Sequence, residues 1–149
     1  MAEIGFYHLT RTPLELALPR LLGRVLATGG RAVIRVPDPE RLAALDAALW
    51  LCPDPDWLPH GTPAAGDADL QPIWLTTEDD APNGARHLFL ADGAETERAA
   101  AYDRVFDLFD GNDAASLQAA RERWRRARAA GHALTYWQQG PNGWAKREA

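Results

Sequence analysis

Apolar positions recur along the chain at two spacings, and the switches between them mark its elements. Ile4-Gly5-Phe6-Tyr7-His8-Leu9 is a short apolar and aromatic run that predicts a first strand. Thr12 and Pro13 then predict a helix start, with Thr12 as the cap and Pro13 at the first helical position. Leu14, Leu18, Leu21, Leu22, Val25 and Leu26 follow at helical spacing. Pro19 should kink or restart that helix, and Gly29-Gly30 should end it. Arg31 to Val36 is β-branched and strand-like, bounded by Pro37. Asp38 with Pro39 predicts a capped second helix, whose apolar face is Leu42, Leu45, Leu49 and Trp50.

From Cys52 to Pro72 the periodicity stops. Proline stands at 53, 55, 59, 63 and 72, with Gly61, Gly66 and several aspartates, so this is a loop. Ile73 to Thr76 predicts a strand, Asp79 to Asn83 a turn, and His87 to Leu90 another strand. Glu95 to Tyr102 predicts a short helix, and Val105 to Phe109 a strand ended by Asp110-Gly111-Asn112. Ser116 to Ala130 reads as a strong helix stopped by Gly131, with Ser116 expected to cap it. Ala133 to Gln138 reads as an extended segment, part of a tail from about 132. Strands alternating with helices predict an α/β layered sandwich with a mostly parallel sheet. The 149 residues suit one domain spanning 1–149.

Composition narrows the function. No apolar run approaches the ~20 residues of a membrane span, and the first residues carry no basic segment leading into an apolar one. A cytoplasmic location is the expectation. One cysteine, Cys52, excludes an internal disulfide and a cysteine-based zinc site. The net charge of -5 argues against broad nucleic-acid binding. Charge is uneven, however. Between Pro37 and Asp113 the only bases are Arg41, Arg86, Arg98 and Arg104, among many acids, and beyond Asp113 the chain turns basic. That asymmetry predicts a local positive patch on an acidic body, suited to an acidic protein segment.

Catalytic equipment is sparse. There is no G-x-x-x-x-G-K-[ST] string, and the first strand-to-helix turn, Thr10 to Pro13, has no glycine, so a phosphate loop is not expected. Ser116 is the only serine. His8, His60, His87 and His132 share no metal-binding spacing, and His8 and His87 read as satisfied packing residues in strands. No metal or cofactor is expected. An α/β enzyme that binds or hydrolyses a small nucleotide remains the alternative, because acid/base pairing is spatial.

The last helix carries the sharpest pattern. Five arginines sit there against one acid, Glu122. At ~100° per residue, Arg121, Arg125 and Arg128 share a narrow stripe with Trp124 and Leu117 along its edge. Guanidinium groups beside an indole suit a short acidic peptide with an apolar end. The same residues also fit a solvated charged face with Trp124 in the core, and spacing does not choose between these. Six tryptophans is a rich count. Trp50 and Trp57, the latter in the proline-rich loop before Leu58-Pro59, fit either an interface anchor or a cover over the core.

Four stretches together resemble the chi subunit family of bacterial DNA polymerase III, a clamp-loader accessory protein. They are Phe6-Tyr7-His8-Leu9, Leu45 to Trp50, Trp57-Leu58-Pro59-His60, and Ala120 to Arg125 with Gly131. The resemblance implies a nucleotide-binding-like topology with no nucleotide and no catalysis. It implies binding of the acidic, Phe-ended C-terminal tail of single-stranded DNA-binding protein through Arg121, Trp124 and Arg125. Arg128 is added to that set from helical geometry. A second surface around Trp50, Trp57 and Pro59 is implied for the psi subunit, or for the clamp loader directly, with a helicase as a further partner. Direct nucleic-acid and membrane contacts are not implied. Trp124 stands where the best-known members carry tyrosine, and the segment from Tyr136 to Trp144 extends beyond the shorter members.

Overall fold

The computed structural model describes residues 2–52, 58–141 and 143–147. Among them the order is β1 (Glu3–Leu9), α1 (Leu14–Ala27), β2 (Ala32–Arg35), α2 (Pro39–Leu51), β3 (Ile73–Thr76), β4 (His87–Ala91), β5 (Arg104–Asp110), α3 (Ala114–Ala129), β6 (Ala133–Gly140) and β7 (Gly143–Arg147). The strands form one sheet in the order β3-β2-β4-β5-β1-β6-β7. Every neighbouring pair is parallel except β6 with β7. This is the expected α/β layered sandwich with a mostly parallel sheet, in a single compact domain.

Strand alternation sends side chains to two cores, one on each face. Tyr7, Leu9, Ile34, Phe89 and Leu108 pack under α1 and α2 with Leu18, Leu22, Leu45 and Leu49. Ile4, Phe6, Val105 and Phe109 face the other way, with Ala120 and the half-buried Leu117 and Trp124 of α3. Among the described residues, one face therefore carries two α-helices and the other one.

Local end signals behave as the residues predict where the partners are local. Asp38 caps α2 by accepting from the Arg41 N–H at 2.8 Å, with Pro39 at the first position. Gly29 has φ +79° and Gly131 φ +86°, the left-handed conformation that stops α1 and α3.

Elsewhere the structure departs from expectation. Pro13, not Thr12, occupies the cap position of α1, and the Thr12 hydroxyl accepts from Gln139 Nε2 at 2.6 Å. α1 runs through Pro19 as one helix, with Leu18 and Leu22 fully buried beside it. The packing of those side chains outweighs the one backbone bond that proline removes. Glu95 to Tyr102 holds only a 3-10 turn at Ala99–Ala101. Asp79 draws that segment away from helix, accepting from the Thr96 hydroxyl at 2.7 Å and the Glu97 N–H at 3.0 Å. α3 starts two residues before Ser116, capped by Asp113, which accepts from the Ser116 N–H at 3.0 Å. His87 is not satisfied, because its buried Nδ1 has no hydrogen-bond partner among the described residues.

The largest departure is at the C-terminus. The expected tail is two strands of the sheet. β6 adds parallel to β1, pairing Glu3 with Ala133 through His8 with Gln138, and β7 returns antiparallel beside it. Trp137 stacks on Tyr7 with ring centroids 6.0 Å apart, and Trp144 meets the same ring edge-on at 5.1 Å. Burying these two indoles against the first core fixes the hairpin in place.

A candidate peptide cleft beside the last helix

α3 is seated on the sheet by a buried ion pair. Arg123 donates to the Asp107 carboxylate through Nε at 2.7 Å and Nη2 at 2.9 Å. Their side chains are only 8% and 4% exposed. Burial pushes the Asp107 carboxyl above its usual range, against the pull of Arg123. A bidentate pair of this kind sets both the height and the rotation of the helix. Its rotation places Ala120 inward, Trp124 at the edge, and Arg121 and Arg125 beyond the edge.

α3 packs on β5 and β6, with Trp124 against Phe6 of β1, and a cleft of about 570 Å³ opens between its outer face and the β6–β7 hairpin. Phe6, Phe109, Leu117, Ala120 and Trp124 supply its apolar surface. Trp124 meets Phe6 edge-on at 5.1 Å and Tyr136 at 6.0 Å, so the indole serves both readings at once: it packs on the core and lines the cleft. The far wall is Tyr136 and Gln138 of β6 with Arg147 of β7.

Three arginines border this apolar floor: Arg121, Arg125 and Arg147. Arg125 is ion-paired with Glu122 on its own helix. Among the described residues no acid forms an ion pair with Arg121, Arg128 or Arg147. Below them, His8 Nδ1 lies 2.5 Å from the Tyr136 hydroxyl. Desolvation lowers the His8 pKa and Arg121 lowers it further, while the Gly111 carbonyl and Asp110 act the other way. The short contact between His8 Nδ1 and the phenolic oxygen holds the Tyr136 ring in place.

The structure thus gathers Arg121, Trp124 and Arg125 in one cleft and leaves the exposed Arg128 outside it. The far wall is absent from the expected set. Its signal was the alternation Leu134, Tyr136, Gln138, which places those side chains on one strand face. Arg123 was also missed as an inward residue. On a helical projection it falls with Ala120, Trp124 and Ala127, and Asp107 interrupts an otherwise apolar strand.

The second expected surface is partly described. Trp50 ends α2 with 56% of its surface exposed and Leu51 with 83%, so Trp50 is not a core residue. Its ring lies 4.2 Å from that of His60. His60 is buried, with Nδ1 2.8 Å from the Leu58 carbonyl oxygen and Nε2 2.8 Å from Asp46 Oδ1. Pro59 is half-buried between Leu58 and His60, and Trp57 lies outside the described residues.

At the C-terminal edge of the parallel strands, where α/β proteins bind nucleotides, the loop after β1 is occupied from within. The backbone N–H groups of Thr10, Arg11 and Thr12 all donate to Gln139 Oε1, at 3.2, 2.8 and 3.0 Å. Three converging N–H groups form an anion nest, and here a side-chain oxygen fills it. Nearby Arg41 is held by Glu15 at 2.5 Å and by Asp92. No helix among the described residues is long and apolar enough to cross a membrane.

No curated protein matches the chain. Residues 1–135 match the family model described as DNA polymerase III chi subunit, HolC.

Proposed function

The chain belongs to the DNA polymerase III chi subunit family, a replication accessory subunit of the polymerase III holoenzyme, and from that premise we propose that its α3 cleft binds the acidic C-terminal tail of single-stranded DNA-binding protein. The observation that carries this reading is an aromatic cleft bordered by guanidinium groups on a chain of net charge -5. Trp124, Phe6 and Phe109 receive the terminal Phe. Arg121 bonds a carboxylate directly. Arg125 does so on exchanging Glu122 for a ligand acid. Arg128, outside the cleft, contributes steering rather than contact.

The protein acts without catalysis, bridging coated single-stranded DNA to the clamp loader in the cytoplasm. The exposed Trp50 and Leu51, with the half-buried Pro59, form the face for psi, the clamp loader itself or a helicase, on the side of the sheet carrying α2, and Trp57, outside the described residues, is assigned to the same partner. The nucleotide-enzyme alternative is disfavoured by Gln139, which takes the place a phosphate would occupy.

Affinity should be micromolar, about 8 kcal/mol, and multiplied by the many tails on one coated strand. Fluorescence anisotropy with a labelled acidic, Phe-ended peptide tests the reading. Arg121→Ala should weaken binding about tenfold at low salt. Undiminished affinity in that variant rejects the site.

A further inference from the structure

We propose that the groove between α1 and the β6–β7 turn, on the face of the sheet opposite α3, is a docking site for an acidic protein segment that carries one apolar side chain. It is separate from the cleft beside α3 and goes beyond the tail-binding reading. Leu16, Arg20 and Arg24 follow one another at four-residue spacing, so they share one outward stripe of α1. On the hairpin, the register pairs Gln139 with Trp144 and Trp137 with Lys146. Trp137 and Trp144 pack into the core under α1, so these four side chains leave the hairpin on the α1 face, and Ala145 and Arg147 leave it on the other. Helix and hairpin turn enclose a groove of about 300 Å³.

The groove joins two chemistries. Its apolar part includes Leu16 and the half-buried Trp144. Leu16 is the α1 leucine left exposed, at 48%, while Leu14, Leu18, Leu21 and Leu22 are buried. Its rim is cationic. Arg11, Arg20 and Arg24 line it, with Lys146 on the same face of β7. Among the described residues the one acid in its lining, Glu15, is held by Arg41 at 2.5 Å. Neither Arg11 nor Arg24 forms an ion pair among those residues. Burial raises the Tyr7 hydroxyl pKa against the pull of Arg104 and Arg24, so the Arg24 charge reaches the ring on which Trp144 packs. A chain of net charge -5 that gathers cations around an exposed leucine and an indole is complementary to an acidic segment, and it offers a seat for one apolar side chain. A nucleic-acid strand fits less well, because the acidic body repels its phosphates beyond the groove.

The test uses the full chain and an acidic peptide with a central Phe, acetylated and amidated so that it has no free terminal carboxylate. The readout is the indole N–H signals, with those of Trp144 and Trp124 identified by their Phe variants. At low salt the peptide should shift the Trp144 signal to saturation and leave that of Trp124 in place. Replacing both cations, Arg11→Ala with Arg24→Ala, should weaken this binding about tenfold. An unchanged pattern of indole signals without peptide shows that the double variant is folded. Undiminished affinity in that variant would overturn the proposal, as would the lack of any shift up to millimolar peptide. A shift of Trp124 alone would assign the peptide to the α3 cleft, overturning the groove and leaving the tail-binding reading standing. A single-stranded oligothymidylate that moves Trp144 at lower concentration than the peptide would make the groove a nucleic-acid site and overturn the acidic segment as its occupant.

Discussion

Arg121 and Arg123 stand two residues apart on α3 and do opposite work. Arg123 turns inward and is neutralised by Asp107, while Arg121 stays outside and lends its charge to the cleft. The difference has a spectroscopic reporter in His8, whose ring senses Arg121 from beneath. Burial first, and Arg121 second, hold the folded His8 pKa below its ordinary 6.5. For a base with a lowered folded value, the unfolded chain takes up its proton first as pH falls. The His8 contribution is therefore complete above 6.5 and declines from there down to the folded value. NMR titration should place His8 below 6.5, and Arg121→Ala should move it upward. A His8 that titrates at or above 6.5 in the unaltered protein contradicts the locked Tyr136 geometry.

At the scale of elements, α3 is the part whose placement matters most, and the Asp107–Arg123 pair places it. Arg123→Leu leaves a buried carboxylate without its partner and should cost about 3–5 kcal/mol in urea denaturation. Replacing both residues by leucine should recover most of that loss, since a buried pair is replaceable by packing. A double variant no more stable than the single one would mean that the pair acts by something other than charge satisfaction. The elements themselves were largely readable from the chain where their determinants are local: Asp38 with Pro39 and the glycines at 29 and 131 mark helix ends within a few residues. Errors arose where the determinant is distant. Thr12 lost its capping role to a bond with Gln139, which the sequence separates from it by more than a hundred residues. The helix expected from Glu95 failed because Asp79, on another loop, satisfies its backbone and side chains. The near wall of the cleft was visible as a helical stripe. The far wall was not, because β6 reaches β1 across almost the whole chain, and no local pattern reveals which strand a terminal segment will join.

For the whole molecule, the distribution of charge and of uncovered surface gives one consistent account. Among the described residues the sheet carries two α-helices on one face and one on the other, and the β6–β7 hairpin forms the cleft with that single helix. The basic segment lies along that cleft, while acids dominate the middle of the chain. The exposed aromatic at Trp50 belongs to α2 on the opposite side of the sheet, so the two contacts we propose, tail binding at α3 and clamp-loader binding at Trp50, need not compete. Six tryptophans make this separation measurable through their indole N–H signals. Trp124→Phe and Trp50→Phe would identify two of those signals, and the acidic Phe-ended peptide would then be titrated into the unaltered protein. The account predicts that the Trp124 signal shifts progressively to saturation while that of Trp50 stays in place. A shift of Trp50 with Trp124 unmoved would contradict it.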